Sequence, residues 1–273
     1  MLRFILCLLF CPLLLVGSIQ IAEAKLVKAL TYNIWGLPFP IAKRMDRFPL
    51  IRKKLPSYDA DIIALQEVFT NKARVTSKLK GYPFKAYGPK ASFLNLSSGL
   101  IIMSKHSIIE TKTIKFNKCQ GWDCFANKGV LFARVLINGS ELDVYATHLN
   151  AEGEDEGPRY DQLKDFIKFV KENSIGRKTI FLGDFNFIDR SFLHQMFTEE
   201  LGVLDSHLEF ITDNPDLSDD LITGATSSSG KRIDYVFLTP DLSVEKVEVV
   251  FKEKLYKGEQ LSDHRAVLTT FDF

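Results

Sequence analysis

The chain has 273 residues, enough for one large domain or two small ones, and 46% hydrophobic with 25% charged residues is the composition of a chain that buries a core. Its 35 basic and 34 acidic residues leave a net charge of +1. That balance argues against a sequence-blind polynucleotide binder, whose affinity rests on a cationic surplus.

At the N-terminus, Arg3 precedes an apolar run over 4–16, and Ala22-Glu23-Ala24 forms a small-x-small pattern before Lys25. This is the arrangement of a secretory signal over residues 1–24, preferred to an uncleaved anchor, and it predicts an exported protein, secreted or periplasmic. The mature chain is then read as a single domain, 25–273. The signal removes Cys7 and Cys11. It leaves Cys119 and Cys124, for which an oxidising compartment favours a short-loop disulfide over two reduced thiols.

Short apolar runs rich in β-branched and aromatic residues follow at 26–34, 62–68, 99–103, 130–137, 142–147, 179–182, 233–238 and 266–271. Bounded by turn formers, they read as strands. Helical spacing occupies 46–55, 159–172 and 191–200; in the second of these Leu163, Phe166, Ile167 and Val170 form one stripe. Many strands with a few interspersed helices predict an α/β domain of packed sheets covered by helices.

The informative residues are polar ones at the strand ends. Asn33 and Glu67 close the first two runs, His148 follows the fifth, and Asp184 and Asn186 follow the sixth. Asp234 lies in the seventh, and Asp263 and His264 open the last. Strand ends of packed sheets converge on one rim, so these residues have the composition of a hard-cation site with acid–base groups beside it. Hydrolysis of a phosphodiester needs such a set. Glu67, Asn33 and Asp263 suit a Mg²⁺ ion that keeps several waters. His264 suits a general base held by Asp234, Asp184 and Asn186 can orient the nucleophile, and His148 can meet the phosphoryl oxygen or the leaving group. Taken singly, each of these residues reads as a solvated strand end, a turn or a structural histidine.

Their order carries more weight. Asn33-Ile34-Trp35, Gln66-Glu67, Thr147-His148-Leu149, Gly183-Asp184-Phe185-Asn186, Arg232-Ile233-Asp234-Tyr235 and Ser262-Asp263-His264 resemble the motifs of the endonuclease/exonuclease/phosphatase superfamily, in its order, across 28–273. The resemblance implies a four-layer α-β-β-α sandwich and Mg²⁺-dependent phosphoester hydrolysis, with Mn²⁺ or Co²⁺ able to substitute. It also implies Glu67 on the metal and His264 as the base supported by Asp234.

Within that superfamily the chain is similar to the neutral sphingomyelinase branch. The local signals are Asn33 to Pro38, Ser98-Gly99-Leu100 with Met103 to His106, the loop with Asp123 and Lys128 five apart, and Thr147 to Glu152. By that resemblance Asn150 recognises substrate, and the charge and loop position of Lys128 suit it to the substrate phosphate. The implied partner is a phospholipid at a membrane surface, with no stable nucleic-acid partner and a monomeric chain. One departure stands out. The aromatic hairpin that secreted bacterial members carry before the final Asp-His is replaced by a short, charged segment, 251–261. Trp35, Phe39, Phe93, Leu94, Trp122 and Phe125 could supply an apolar rim instead, or pack internally. Two other readings are a secreted nuclease, for which Arg44, Arg47, Arg52, Lys53 and Lys54 are the candidate basic cluster but read as a solvated helix face, and a non-catalytic binding protein that has kept the fold.

Overall fold

The computed structural model describes residues 26–38, 40–41, 45–151 and 156–273. The expected signal 1–24, Arg44, Phe39 of the apolar rim and Glu152 of the histidine motif lie outside them. In chain order the strands are β1 (Leu26–Asn33), β2 (Ile62–Gln66), β3 (Phe84–Tyr87), β4 (Ile101–Ser104), β5 (Ser107–Lys115), β6 (Gly129–Ile137), β7 (Ser140–His148), β8 (Thr179–Asp184), β9 (Leu204–Asp205), β10 (Asp234–Leu238), β11 (Ser243–Val250) and β12 (Ala266–Asp272). The helices are α1 (Phe48–Lys54), α2 (Gly157–Asn173), α3 (Phe192–Leu201), α4 (Ser206–Asp213) and α5 (Asp219–Thr223).

The strands form two six-stranded sheets, in the orders β11-β12-β1-β2-β4-β3 and β5-β6-β7-β8-β10-β9. Each sheet contains a parallel pair, β1 with β2 and β7 with β8. A parallel pair needs a crossover long enough to return over the sheet face. The first crossover carries α1 and the second carries α2.

The side-chain period of two then sorts residues between layers. Along β1, Val27 and Ala29 enter an aliphatic core shared with Leu131, Ala133, Val144 and Leu182 of the other sheet. Leu30 and Tyr32 face the opposite way, onto Phe48 and Ile51 of α1. On the second sheet Phe132, Tyr145 and Phe181 turn outward onto Phe166 of α2 and Phe197 of α3. The result is the expected α-β-β-α sandwich. The small and branched residues lie between the sheets and the aromatic ones lie under the helices.

All eight predicted strands are present. The ones the periodicity missed are β3, β5, β9 and β11, the outermost strands of the two sheets. Their exposed faces carry charge, as with Glu110 and Lys112 in β5 or Glu245 and Glu248 in β11. Such charges protect an edge from further pairing and also break the apolar run that marks a central strand. The helices match closely. Pro158 opens α2, and Leu163, Phe166, Ile167 and Val170 are its buried stripe. The Ser191 hydroxyl caps α3 by accepting from the His194 N–H, and Gly202 ends it at φ 61°.

Two readings need correction. Arg47 is not on a solvated face with Arg52 and Lys53: it is 1% exposed and donates to the carbonyls of Ile34 (2.6 Å), Leu261 (3.0 Å) and Trp35. It thereby ties the loop after β1 to the loop before β12. Of the six proposed rim residues, Phe93, Leu94, Trp122 and Phe125 are exposed, whereas Trp35 is half-buried under the Arg47 guanidinium. The segment 251–261 closes in a tight turn bridged between Tyr256 and Glu259, and the Tyr256 ring packs inward. No helix of the described residues is long and apolar enough to cross a membrane.

Candidate active site

Three neighbouring strands set the first half of the site. In β7, β8 and β10 the register pairs His148 with Asp184 and Asp184 with Asp234. Residues opposed on adjacent strands share a face about 5 Å apart, so the register alone lines up these three side chains. Gly183 makes the close approach possible, because a Cβ there would stand 2.3 Å from the Thr147 carbonyl oxygen. The other sheet supplies the second half. β1 and β2 end together with Asn33 level with Gln66, and Glu67 follows. The return loop is pinned over them: the Ser262 hydroxyl donates to the Asn33 carbonyl at 2.7 Å and accepts from the His264 N–H at 3.2 Å.

Asp184 is the hub. Its Oδ2 accepts from Asn33 Nδ2 at 3.0 Å and lies 3.5 Å from His148 Nε2 and 3.6 Å from His264 Nε2. The other ring nitrogen of His264, Nδ1, meets Asp234 Oδ2 at 2.8 Å, which fixes the ring with Nε2 toward Asp184. The Asn33 amide also donates to Glu67 Oε1 at 2.9 Å, and its oxygen accepts from the Trp35 N–H at 3.0 Å. The loops that carry these groups are conformationally strained. Trp35, Glu67 and Asn186 all have positive φ, at 52°, 58° and 52°. Each such residue costs about 1–3 kcal/mol, a cost met where surrounding packing over-determines the backbone.

Burial dominates the electrostatics. It pushes Glu67 up to about 6 and, with the adjacent Asp234 charge, pushes Asp184 up to about 7. Asp263 is raised for the same first reason. His148 is driven well below the usual imidazole range by burial, then by Lys128 and His264. Burial would also lower His264, but Asp234 and Asp184 outweigh it and hold His264 well above that range. The centre therefore carries more buried carboxylate than cation. Glu67 Oε2 is buried without a hydrogen-bond partner among the described residues. An oxygen-rich set with an orphaned carboxylate oxygen fits a divalent cation. The tightest group of ligand-type atoms is Asp184, Asp234 and His264, within 4.8 Å of one another. Because His264 Nδ1 is already engaged by Asp234, this trio suits acid–base work, and Glu67 is a residue that could hold a cation.

Lys128 and Asn150 flank His148. The Lys128 ammonium, 3% exposed, donates to Asp123 Oδ1 (2.7 Å), the Leu149 carbonyl (2.7 Å) and His148 Nε2 (3.0 Å), which matches its three donors. Its charge reaches the centre through His148. Asn150 is buried; its Oδ1 accepts from the Gln120 N–H and its own N–H donates to Gln162 Oε1. Asn186 donates to the Leu149 carbonyl at 3.1 Å, and its N–H donates to Asp184 Oδ1. Cys119 and Cys124 are joined in a disulfide, as expected, and the loop they close holds Asp123 against Lys128. The residues that sequence reasoning overlooked are supports: Arg47, Gln162, and Thr226, whose hydroxyl accepts from the Asp234 N–H.

A metal-suited, acid–base strand-end site on an α-β-β-α sandwich defines a class of phosphoester-processing folds. The Endonuclease/Exonuclease/phosphatase family matches residues 30–264, and the chain belongs to it. Relatives named as sphingomyelinases or phospholipases C are 26–28% identical over 63–92% of the chain. One is a sphingomyelinase of Mycobacterium tuberculosis, 26% identical over 89% of this chain and 52% of its own. The chain thus spans about half the length of that relative. Among solved structures, the beta toxin of Staphylococcus aureus with bound magnesium ions aligns with TM-score 0.67 at 21% identity over 89% of this chain and 98% of its own. D. rerio TDP2 with a single-strand DNA product aligns with TM-score 0.70 at 21% identity, over 91% and 99%. At these identities the structural matches establish the fold.

Proposed function

We propose that residues 25–273 form a single catalytic domain, an exported Mg²⁺-dependent phosphodiesterase of the phospholipase C type that hydrolyses sphingomyelin to ceramide and phosphocholine. The observation that carries this reading is the buried Asp234–His264–Asp184 line facing Glu67, whose second oxygen lacks a partner among the described residues. The sphingomyelinase and phospholipase C relatives supply the substrate class. The beta toxin structure supports magnesium.

In this reading a water proton passes to His264 Nε2 while Asp234 keeps Nδ1 protonated and the ring oriented. Asp184 and Asn186 orient that water. The water oxygen bonds to phosphorus as the bond from phosphorus to the ceramide oxygen breaks, and that oxygen takes up a proton from solvent as it leaves. His148 is neutral, accepts from Lys128 at Nε2 and holds that edge 3.5 Å from Asp184, which supports a place for it beside the phosphoryl oxygen or the leaving oxygen. Glu67, with Asn33 and Asp263 beside it, would hold the cation. When bound, the cation neutralises phosphate charge and offsets the carboxylates that otherwise keep His264 protonated. Lys128 and Asn150 act on the substrate side, the first through its charge and the second by fixing the loop walls. The chain acts as a monomer on lipid.

A secreted nuclease on the same fold is the second reading, favoured by the TDP2 likeness. An assay panel separates the two: sphingomyelin, lysophospholipids, phosphatidylinositol lipids and plasmid DNA, each with Mg²⁺ or EDTA. Metal-dependent sphingomyelin turnover is expected, abolished by His264→Ala. DNA cleavage with no lipid turnover would overturn the choice of substrate, and full activity of the variant would overturn the mechanism.

A further inference from the structure

The near-neutral chain hides a strong local asymmetry. Between Glu67 and Glu110 there is no acidic residue, and seven basic ones run from Lys72 to Lys105. The fold gathers Arg74, Lys78, Lys85 and Lys90 around one groove of about 620 Å³, whose lining contains no Asp or Glu. Ala91 and Ser97 form one wall of that groove and are the two ends of a loop bearing the most exposed apolar side chains of the described residues. Phe93 is 101% exposed and Leu94 79%.

This loop does not stand alone. The Leu96 N–H donates to the Phe125 carbonyl at 2.8 Å, the Asn127 N–H to the Leu96 carbonyl at 3.0 Å, and Asn95 Nδ2 to the Cys124 carbonyl at 2.6 Å. The 91–97 loop is thereby fused to the disulfide-closed loop, which adds Trp122, 73% exposed, and Phe125, with ring centroids 5.7 Å apart. The base of the fused block is the site itself, since Asp123 pairs with Lys128 and the Gln120 N–H donates to Asn150. Apolar side chains presented on a braced platform beside a cationic groove have one economical explanation. Trp, Phe and Leu favour the interfacial layer of a bilayer, and lysines beside them favour anionic headgroups.

We propose that the 91–97 and 119–125 loops, together with the groove of Arg74, Lys78, Lys85 and Lys90, dock on a phospholipid bilayer containing anionic lipid. The apolar tips enter the headgroup layer, the groove takes lipid phosphates, and the site opens toward the surface. The inference rests on the phospholipid reading above and places its interfacial surface on segments other than 251–261. A polynucleotide fits less well, because Leu94 and Leu96 have no ring on which a base could stack and the exposed rings of Phe93, Trp122 and Phe125 do not line the cationic groove that would track its phosphates.

The chain from Lys25 contains both sheets and all three apolar cores, so it is the form to test. It would be sedimented in EDTA with phosphatidylcholine vesicles with and without phosphatidylglycerol. Binding is expected to need the anionic lipid and to weaken with salt. It should fall about tenfold or more in Phe93→Ser/Leu94→Ser/Trp122→Ser and, separately, in Lys85→Glu/Lys90→Glu. Both variants should hydrolyse a soluble phosphocholine ester at the wild-type rate. Absence of vesicle binding by wild type, unchanged binding by the apolar variant, patch-dependent dimerisation in its place, or a preference for single-stranded DNA that vesicles cannot compete away would each overturn docking. Vesicle binding by a protein that cleaves no phosphodiester would leave docking standing and sink the catalytic reading instead.

Discussion

Replacing Asp234 by Asn is the sharpest single perturbation of this centre, because it is nearly isosteric. One Asp234 oxygen engages His264 at 2.8 Å and the other has no hydrogen-bond partner among the described residues, so its principal interaction is with the base. Losing the orienting carboxylate of such a pair costs about 10⁴ in turnover, or about 5.5 kcal/mol of barrier. The same substitution acts on Asp184, which burial and the Asp234 charge push up to about 7, against about 3.9 in an unfolded chain. A carboxyl whose folded value is raised contributes its stability below the unfolded value and loses it as pH rises through the folded one. The gap amounts to at most about 4 kcal/mol without a cation. Asp234→Asn narrows it. Turnover of a soluble phosphocholine ester should therefore collapse. The substitution also removes the charge that does most to hold His264 above the usual imidazole range, a stabilisation present below about pH 6.5 and lost as pH rises through the raised value, so in EDTA the variant should lose more stability at pH 5 than at pH 8. Turnover within tenfold of wild type, or a stability loss that does not grow from pH 8 to pH 5, would refute the assignment.

Three further outcomes follow from the same geometry. Mg²⁺ should raise the calorimetric stability of the wild type by about 2.7 kcal/mol at a hundred times its Kd, and Glu67→Gln should remove most of that gain. Asp205, buried under Arg232 (2.8 Å) and His194 (2.8 Å), has its carboxyl held below the usual range because these partners outweigh burial. Its stabilisation is present above about pH 4 and lost as pH falls through the depressed value, so Asp205→Asn should cost about 3–5 kcal/mol in urea titrations at pH 7 and much less in acid. Gly183→Ala should cost about 1–3 kcal/mol in the same titrations by forcing β7 from β8, given the 2.3 Å approach to the Thr147 carbonyl.

The strand-end residues are legible because each stands at the end or the start of a central strand whose apolar run is unbroken. Asn33, Glu67, His148, Asp184, Asp234 and His264 all come together, and the registers of β7, β8 and β10 explain why. What stayed hidden depends on partners far along the chain. Arg47 reads as one more cation of a basic helix, yet one of its acceptors, Leu261, lies 214 residues away. The family resemblance assigns Asn150 to the substrate, and charge and loop position suit Lys128 to it, whereas the groups that hold both come from the disulfide loop and α2, which no local pattern announces. The edge strands were hidden for a different reason, since the charges that keep them from aggregating erase the signal that defines a strand.

One topological detail bears on how the molecule comes into being. β1 lies between β12 and β2, with Leu26 level with Asp272 and Thr31 with Val267. β1 therefore waits for β12, far along the chain, before this sheet can close. Asn33 at the end of β1 and Asp263-His264 just before β12 meet in that same closing event. A chain interrupted before Ala266 would have neither a finished first sheet nor an assembled centre.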